Sequence, residues 1–299
     1  MYIPIMGSFL EAIGMILEKR ILKKHKINYK NYTVYGFLSI ILVMLPFIFF
    51  LWDINPEALK LKNLLILLAI VFIAIFANLL TFYSLKREDL TELEPIRLMQ
   101  PLLTIILAFV LSFFFSEFSS EKNYMILFLG IIAGIALIAP HVKKHHLKFN
   151  KYITAAFIGS ILFAIELILS KFILSYYNSF TFYFLRCLLI FITAWIIFQP
   201  SLKSIKNKTK LTMLVVSIIW IIYRIILYYG YETYGIVFTT IIMSILTPVF
   251  IFIFAAIFLK EKIKLKHIIS SVVIVLCVIA TVIIENREII NSLIRALIH

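Results

Sequence analysis

Ten apolar runs dominate the chain: 2–22, 33–51, 62–84, 92–116, 122–140, 152–174, 179–198, 210–231, 235–259 and 265–285. Each is long enough to cross a hydrocarbon layer of about 30 Å. Lipid offers no hydrogen bonds to the backbone, so only helices or a closed barrel can span it. Barrel strands alternate apolar and polar residues in segments of about ten, and these runs do not. The expected fold is therefore an all-α membrane protein of ten transmembrane helices. Composition agrees. With 63% hydrophobic and 15% charged residues in 299, too little polar surface is available to cover a water-soluble core. The connections are short and leave no room for a soluble domain.

The N-terminus has neither a basic leader region nor a small-residue cleavage pattern, so the first run reads as a retained helix. Cys187 and Cys277 lie inside apolar runs, where packing against core or lipid is their ordinary use.

A sequence repeat organises the chain. Shifting "GSFLEAIGMILEKRIL" (7–22) by 152 positions lays it on "GSILFAIELILSKFIL" (159–174) with ten identities in sixteen positions. Gly7-Ser8 matches Gly159-Ser160, and Lys19 matches Lys171. Further on, "YTVY" (32–35) aligns with "FTFY" (180–183), and "LMQPLLTIILAF" (98–109) with "ILTPVFIFIFAA" (245–256), which sets Pro101 opposite Pro248. The expected division is one repeat at 1–143, a second at 152–285 and a short amphipathic tail at 286–299. Five helices per repeat is an odd number, so the two copies cross the membrane in opposite senses.

Lysine and arginine give the orientation. The connections after the odd-numbered spans, with the helix ends beside them, hold twenty of these residues; the other face holds five. By the positive-inside rule the crowded face is cytoplasmic and both termini lie outside. The net charge of +14 follows from these clusters, so nucleic acid is not an expected partner.

Six charged residues fall within the spans at depths where a charge is costly: Glu11, Glu94, Arg97, Glu166, Arg186 and Arg224. A charge at mid-membrane costs roughly 2.5–3.5 kcal/mol, so it normally faces a cavity or a protein partner. Glu94 and Arg97, spaced i, i+3, read as a pair satisfied near the interface. Glu11, Arg186 and Arg224 lie nearest the centres of their spans, with Glu166 slightly off centre. These four are the candidate substrate or coupling residues, and Trp220 and Tyr223, beside Arg224, are candidate cavity lining. Glu11 is expected to exchange a proton during transport, or else to be a fixed partner of Arg186 or Arg224. Arg186 is expected to lean on Glu11, Glu166 or cavity water. Lys171, near a helix end, is expected to snorkel. Pro101 and Pro248 are candidate helix breaks or gates, since each removes a backbone donor inside its span.

"GIIAG" (130–134) has small-xxx-small spacing, suited either to internal packing or to a homodimer contact. His141, His145 and His146 sit among lysines without an acid or thiolate and read as a solvated basic cluster rather than a metal site. No metal, cofactor or enzyme motif is expected.

"TPVFIFIFAAIFLKEKIKLKHIISSVVIVLCVI" (247–279) closes the second repeat and resembles the end of a repeat in the drug/metabolite transporter superfamily, specifically its EamA-like members. Its elements are Pro248-Val249, Leu259-Lys260-Glu261 and a last helix. In the first repeat Glu117 stands nearest the place of Glu261. Arg186, in "FYFLRCLLIF", resembles the arginine often found in the second helix of such a repeat. Members are commonly described with cytoplasmic termini, opposite to the charge reading. The resemblance implies a secondary transporter working by alternating access.

The expected function is thus an integral, multi-pass carrier in the plasma or cell membrane. Its cargo is expected to be a small polar metabolite, an amino acid or other carboxylated compound, with proton coupling through Glu11. The alternatives are a carrier of sugar- or lipid-linked substrates, or a non-transporting scaffold or complex subunit.

Overall fold

A computed structural model describes residues 2–24, 27–142, 150–200 and 207–285. The tail at 286–299 and the side chains of His141, His145 and His146 lie outside the described set. The described residues are helical and contain no strand; a lone antiparallel bridge joins Ile54 to Tyr177. In the first repeat the helices are α1 (Tyr2–Lys24), α2 (Tyr29–Leu51), α3 (Leu61–Leu85), α4 (Leu90–Arg97), α5 (Met99–Leu111) and α6 (Tyr124–Val142). The second has α7 (Lys151–Leu174), α8 (Ser179–Phe198), α9 (Asn207–Thr233), α10 (Ile236–Thr240), α11 (Thr247–Phe254) and α12 (Leu265–Glu285).

Asparagines start several of these helices. Asn28 accepts from Lys30 N (3.1 Å), Asn150 from Tyr152 N (2.8 Å) and Asn178 from Thr181 N (2.7 Å). Each fills a donor that the first helical turn leaves unsatisfied. Among the described residues, eight helical stretches are long and apolar enough to cross a membrane. Two of them are interrupted: Leu90–Leu111 divides at Leu98 between α4 and α5, and Ile236–Leu259 passes through π-helical turns at Ile241–Ile245 and Ala255–Leu259. Helix α1 runs 23 residues but carries Glu11, Glu18, Lys19 and Arg20. In α6, Tyr124–Ala136 forms a shorter apolar helix.

The packing follows the repeat. α1 packs on α9, and its counterpart α7 packs on α3; α1 also meets α11, as α7 meets α5. α2 pairs with α8, and α6 with α12. That exchange of partners is what a two-fold relation between the repeats produces. Gly130 and Gly134 serve internal packing: a Cβ at Gly134 would come within 2.2 Å of Leu102, and one at Gly130 within 3.0 Å of Ile241. Outward, Phe49, Phe50, Phe72, Phe76 and Ile196 are exposed, as lipid-facing positions should be. Cys187 and Cys277 are both buried.

Two carboxylates tie the repeats together at opposite ends. Glu261, just beyond α11, accepts from Leu90 N (3.2 Å) and Thr91 N (3.0 Å) at the start of α4. Glu121, just beyond α5, accepts from Ile236 N (2.6 Å) and Val237 N (2.9 Å) at the start of α10. Each thereby supplies a negative charge to the N-terminus of a helix in the other repeat. Burial pushes the Glu121 carboxyl above its ordinary value, and the two backbone donors pull it back. Gly235 lets this approach happen: its φ is +85°, and a Cβ there would lie 2.9 Å from Glu121 Oε1.

The lysines follow the same symmetry. Lys19 Nζ is 3.3 Å from Glu261 and donates to the Glu88 carbonyl. Lys171, its repeat mate, donates to the Tyr231 carbonyl (2.6 Å) and stabilises the charged form of Glu121. One expectation is corrected here. The first-repeat counterpart of Glu261 is Glu121; Glu117 is exposed and accepts a hydrogen bond from its neighbour Ser116 (3.1 Å).

Candidate functional site

A cavity of about 820 Å³, including its mouth, lies between the repeats. Its wall takes Glu11 and Glu18 from α1, Tyr32 from α2, Arg97 from α4, Arg186 from α8 and Arg224 from α9. Both repeats contribute. The cavity runs from the arginines toward the lysine-rich end, where α2 and α9 begin and α1 and α3 finish. At the opposite end the loops after α2 and α7 are joined to each other. There Asn55 N donates to Tyr176 O (2.9 Å), Asp53 N to Thr181 Oγ1 (3.0 Å), and Asn178 Nδ2 to Leu51 O (2.7 Å).

One charged group sits at the α7–α8–α9 wall. Arg186 Nε lies 2.8 Å from Glu166 Oε1, and Arg224 Nη1 lies 3.9 Å from Glu166 Oε2. Glu166 is fully buried and Arg186 nearly so. Two guanidinium groups against one carboxylate leave one positive charge in excess. Among the described residues, Arg186 Nη2 and Arg224 Nη1 are buried without a hydrogen-bond partner. The Arg224 guanidinium also lies over Tyr223 and Tyr228, 5.9 and 6.0 Å from the ring centres, a placement in which the aromatic faces carry part of its desolvation.

The second group joins α1 to α4. Arg97 Nη1 bonds Glu94 Oε1 at 2.6 Å, and Nη2 lies 3.7 Å from Glu11 Oε1. The Thr247 hydroxyl, one residue before Pro248, donates to Glu11 Oε2 at 2.8 Å. Ser8 on α1 donates to the Ile242 carbonyl (2.7 Å) inside the π-helical turn. Thus α1 supplies polar partners where the second interrupted span departs from α-helix, as a break in lipid requires. Pro101 and Pro248 both sit in the first turn of the segment after each interruption, at α5 and α11.

The structure gathers Glu11, Arg186, Arg224, Trp220 and Tyr223 on the cavity wall, with Glu166 behind Arg186. It sets Arg186 against Glu166 rather than Glu11. It also moves Arg97 inward: the i, i+3 pair with Glu94 exists, but Arg97 lines the cavity and reaches Glu11 as well. Sequence reasoning missed Glu18. Seven residues beyond Glu11, it shares the same face of α1 two turns along. It is buried on the cavity wall, with Tyr32 Oη donating to it at 3.2 Å. That spacing was the available signal.

Such features define a class: a multi-pass membrane protein of two repeats with a charged cavity between them. The match to known families is specific, for the model of the EamA-like transporter family fits residues 2–139 and again 150–283. The chain belongs to the EamA-like transporter family. No curated protein matches it. A solved structure titled only "Crystal structure of protein" is similar in fold, with a TM-score of 0.64, 12% identity, and coverage of 94% of this chain and 98% of the other.

Proposed function

We propose that the protein is a secondary transporter that moves a small, anion-bearing metabolite by alternating access. In this reading α1 and α6 cross the membrane with the eight long apolar stretches, giving ten spans, and the cavity is the substrate path. The observation that carries the reading is the excess positive charge of Arg186 and Arg224 over Glu166, with guanidinium N–H groups left unpartnered at the cavity wall. A carboxylate of the cargo would complete that set with charge-assisted, bidentate bonds. An interior charge imbalance of this kind serves a ligand better than it serves helix packing, which favours transport over a scaffold role.

Arg186→Lys tests it. Lysine keeps the charge but loses the planar fork, so substrate affinity in a reconstituted uptake assay should fall about tenfold or more. The thermal midpoint should change much less. Full transport by the charge-swapped pair Arg186→Glu with Glu166→Arg would instead mean that the two residues only hold each other.

The lysine-rich end is proposed to face the cytoplasm. Cysteine placed at the exposed positions Asn207 and Lys60 reports this directly. An impermeant thiol reagent added to intact cells should label position 60 and spare 207; the reverse pattern inverts the orientation.

A further inference from the structure

The lysine-rich end carries a second recess, which shares no lining residue with the cavity between the repeats. Its volume is about 930 Å³ including its mouth, and it lies where the end of α1, the start of α4 and the turn before α12 meet. Three carboxylates and five lysines line it. Each carboxylate is taken. Glu261 holds Lys19 at 3.3 Å and the first amides of α4, Asp89 holds Lys23 at 3.3 Å, and Glu92 holds Lys264 at 2.5 Å. Lys260 and Lys262 are left. Both are exposed and form no ion pair among the described residues, so the recess keeps two positive charges in excess.

Lys260 also occupies an unusual backbone position. It ends the π-helical turn Ala255–Leu259 with φ 58° and ψ 31°, in the left-handed region. Glycine adopts that conformation without steric cost, and lysine does not. A long charged side chain kept at a strained position points to a use for that side chain. Its neighbours on both sides are apolar and face outward: Ile257 and Phe258 are 63% and 61% exposed, Leu265 and Ile268 72% and 53%. The turn thus sets two uncompensated ammonium groups between two lipid-facing apolar stretches. The charge selects an anion, and the apolar flanks select one that carries hydrocarbon chains. A basic recess between membrane helices is the setting in which anionic headgroups bind.

We propose that this recess is a site for an anionic phospholipid, its phosphate held by Lys260 and Lys262 and its acyl chains laid along Ile257, Phe258, Leu265 and Ile268. Between the two lysines stands Glu261, which fixes the start of α4 and the charge of Lys19. A bound headgroup therefore steadies the turn that holds α4 in place, and its effect is readable as stability.

The test uses the purified full chain in detergent, titrated with phosphatidylglycerol or with phosphatidylcholine of the same acyl chains. Phosphatidylglycerol should raise the thermal midpoint, as a ligand of the native state does, and phosphatidylcholine should raise it much less. Each lysine beside an anionic surface contributes about fivefold in affinity. Lys260→Gln with Lys262→Gln should therefore raise the phosphatidylglycerol concentration that gives half the shift by about twenty-five-fold. The control, Lys208→Gln with Lys210→Gln, removes two exposed lysines at the same end but outside the recess, and it should change little. Lys260→Gly relieves the left-handed strain, so the midpoint in phosphatidylcholine should hold or rise while phosphatidylglycerol binding weakens; that pattern separates lost binding from poor folding. Equal stabilisation by the two lipids, or equal losses in the two double variants, would overturn the site. Stabilisation by inorganic phosphate at matched ionic strength, absent from the Lys260→Gln, Lys262→Gln variant, would make the recess a soluble-anion site and overturn the lipid.

Discussion

Glu166→Gln is expected to destabilise the protein by about 3–5 kcal/mol, the usual cost of removing one partner from a buried ion pair. Glu166 is fully buried, and the two arginines it serves are 2% and 11% exposed at their side chains. Glutamine keeps the shape but removes the charge, leaving two guanidinium groups at mid-membrane without a carboxylate. Neither can shed its proton, so both charges persist. The loss should appear as a lower thermal midpoint in detergent and a smaller monodisperse fraction. A second substitution provides the control. Replacing a whole buried pair by neutral residues is often close to neutral, so Glu166→Gln with Arg186→Gln should recover most of the stability while transport stays lost. Undiminished stability in the single variant would mean that something other than Glu166 balances Arg186 and Arg224.

The same residues show where sequence reasoning succeeds and where it stops. Helix positions were legible because bilayer thickness sets a minimum apolar length: α8 runs over Ser179–Phe198 and α12 over Leu265–Glu285, as expected. The repeat was legible because Gly7, Ser8 and Lys19 are matched in chemistry as well as in spacing by Gly159, Ser160 and Lys171. Partner choice was not. Along a single helix, depth identifies which charges are costly, but which arginine meets which glutamate depends on how α7 lies against α8 and α9. Glu18, four residues before the end of the first apolar run, was not among the charges counted as deep. The cavity continues to that level, and its wall buries the side chain. Glu121 escaped notice for a related reason. Its role is to cap a helix in the other repeat, and a 3-10 segment at Ser116–Glu121 alters the spacing from Pro101, so counting along the chain points to Glu117.

Those capping carboxylates carry the second large expected effect. Glu261→Ala should cost about 4 kcal/mol, combining two lost bonds from backbone donors to a charged acceptor with a weakened counter-charge for a buried lysine. The lysine is Lys19, whose side chain is 1% exposed; beyond Glu261 it keeps Asp89 at 3.7 Å and the Glu88 carbonyl. Glu121→Ala should cost less, about 2–3 kcal/mol: it strands the amides of Ile236 and Val237 and takes a carboxylate from near the half-buried Lys171, but that lysine stays bonded to the Tyr231 carbonyl and keeps Glu232 nearby. The asymmetry is the point of the comparison. If the two carboxylates act only as helix caps, the losses should match; if Glu261 also holds the charge of Lys19, they should differ by the cost of that charge. Adding Lys19→Met to Glu261→Ala should then return the thermal midpoint toward that of Glu121→Ala. Equal losses, or a Lys19→Met substitution that returns nothing, would mean that Asp89 and Glu88 suffice for Lys19 and that Glu261 serves α4 alone.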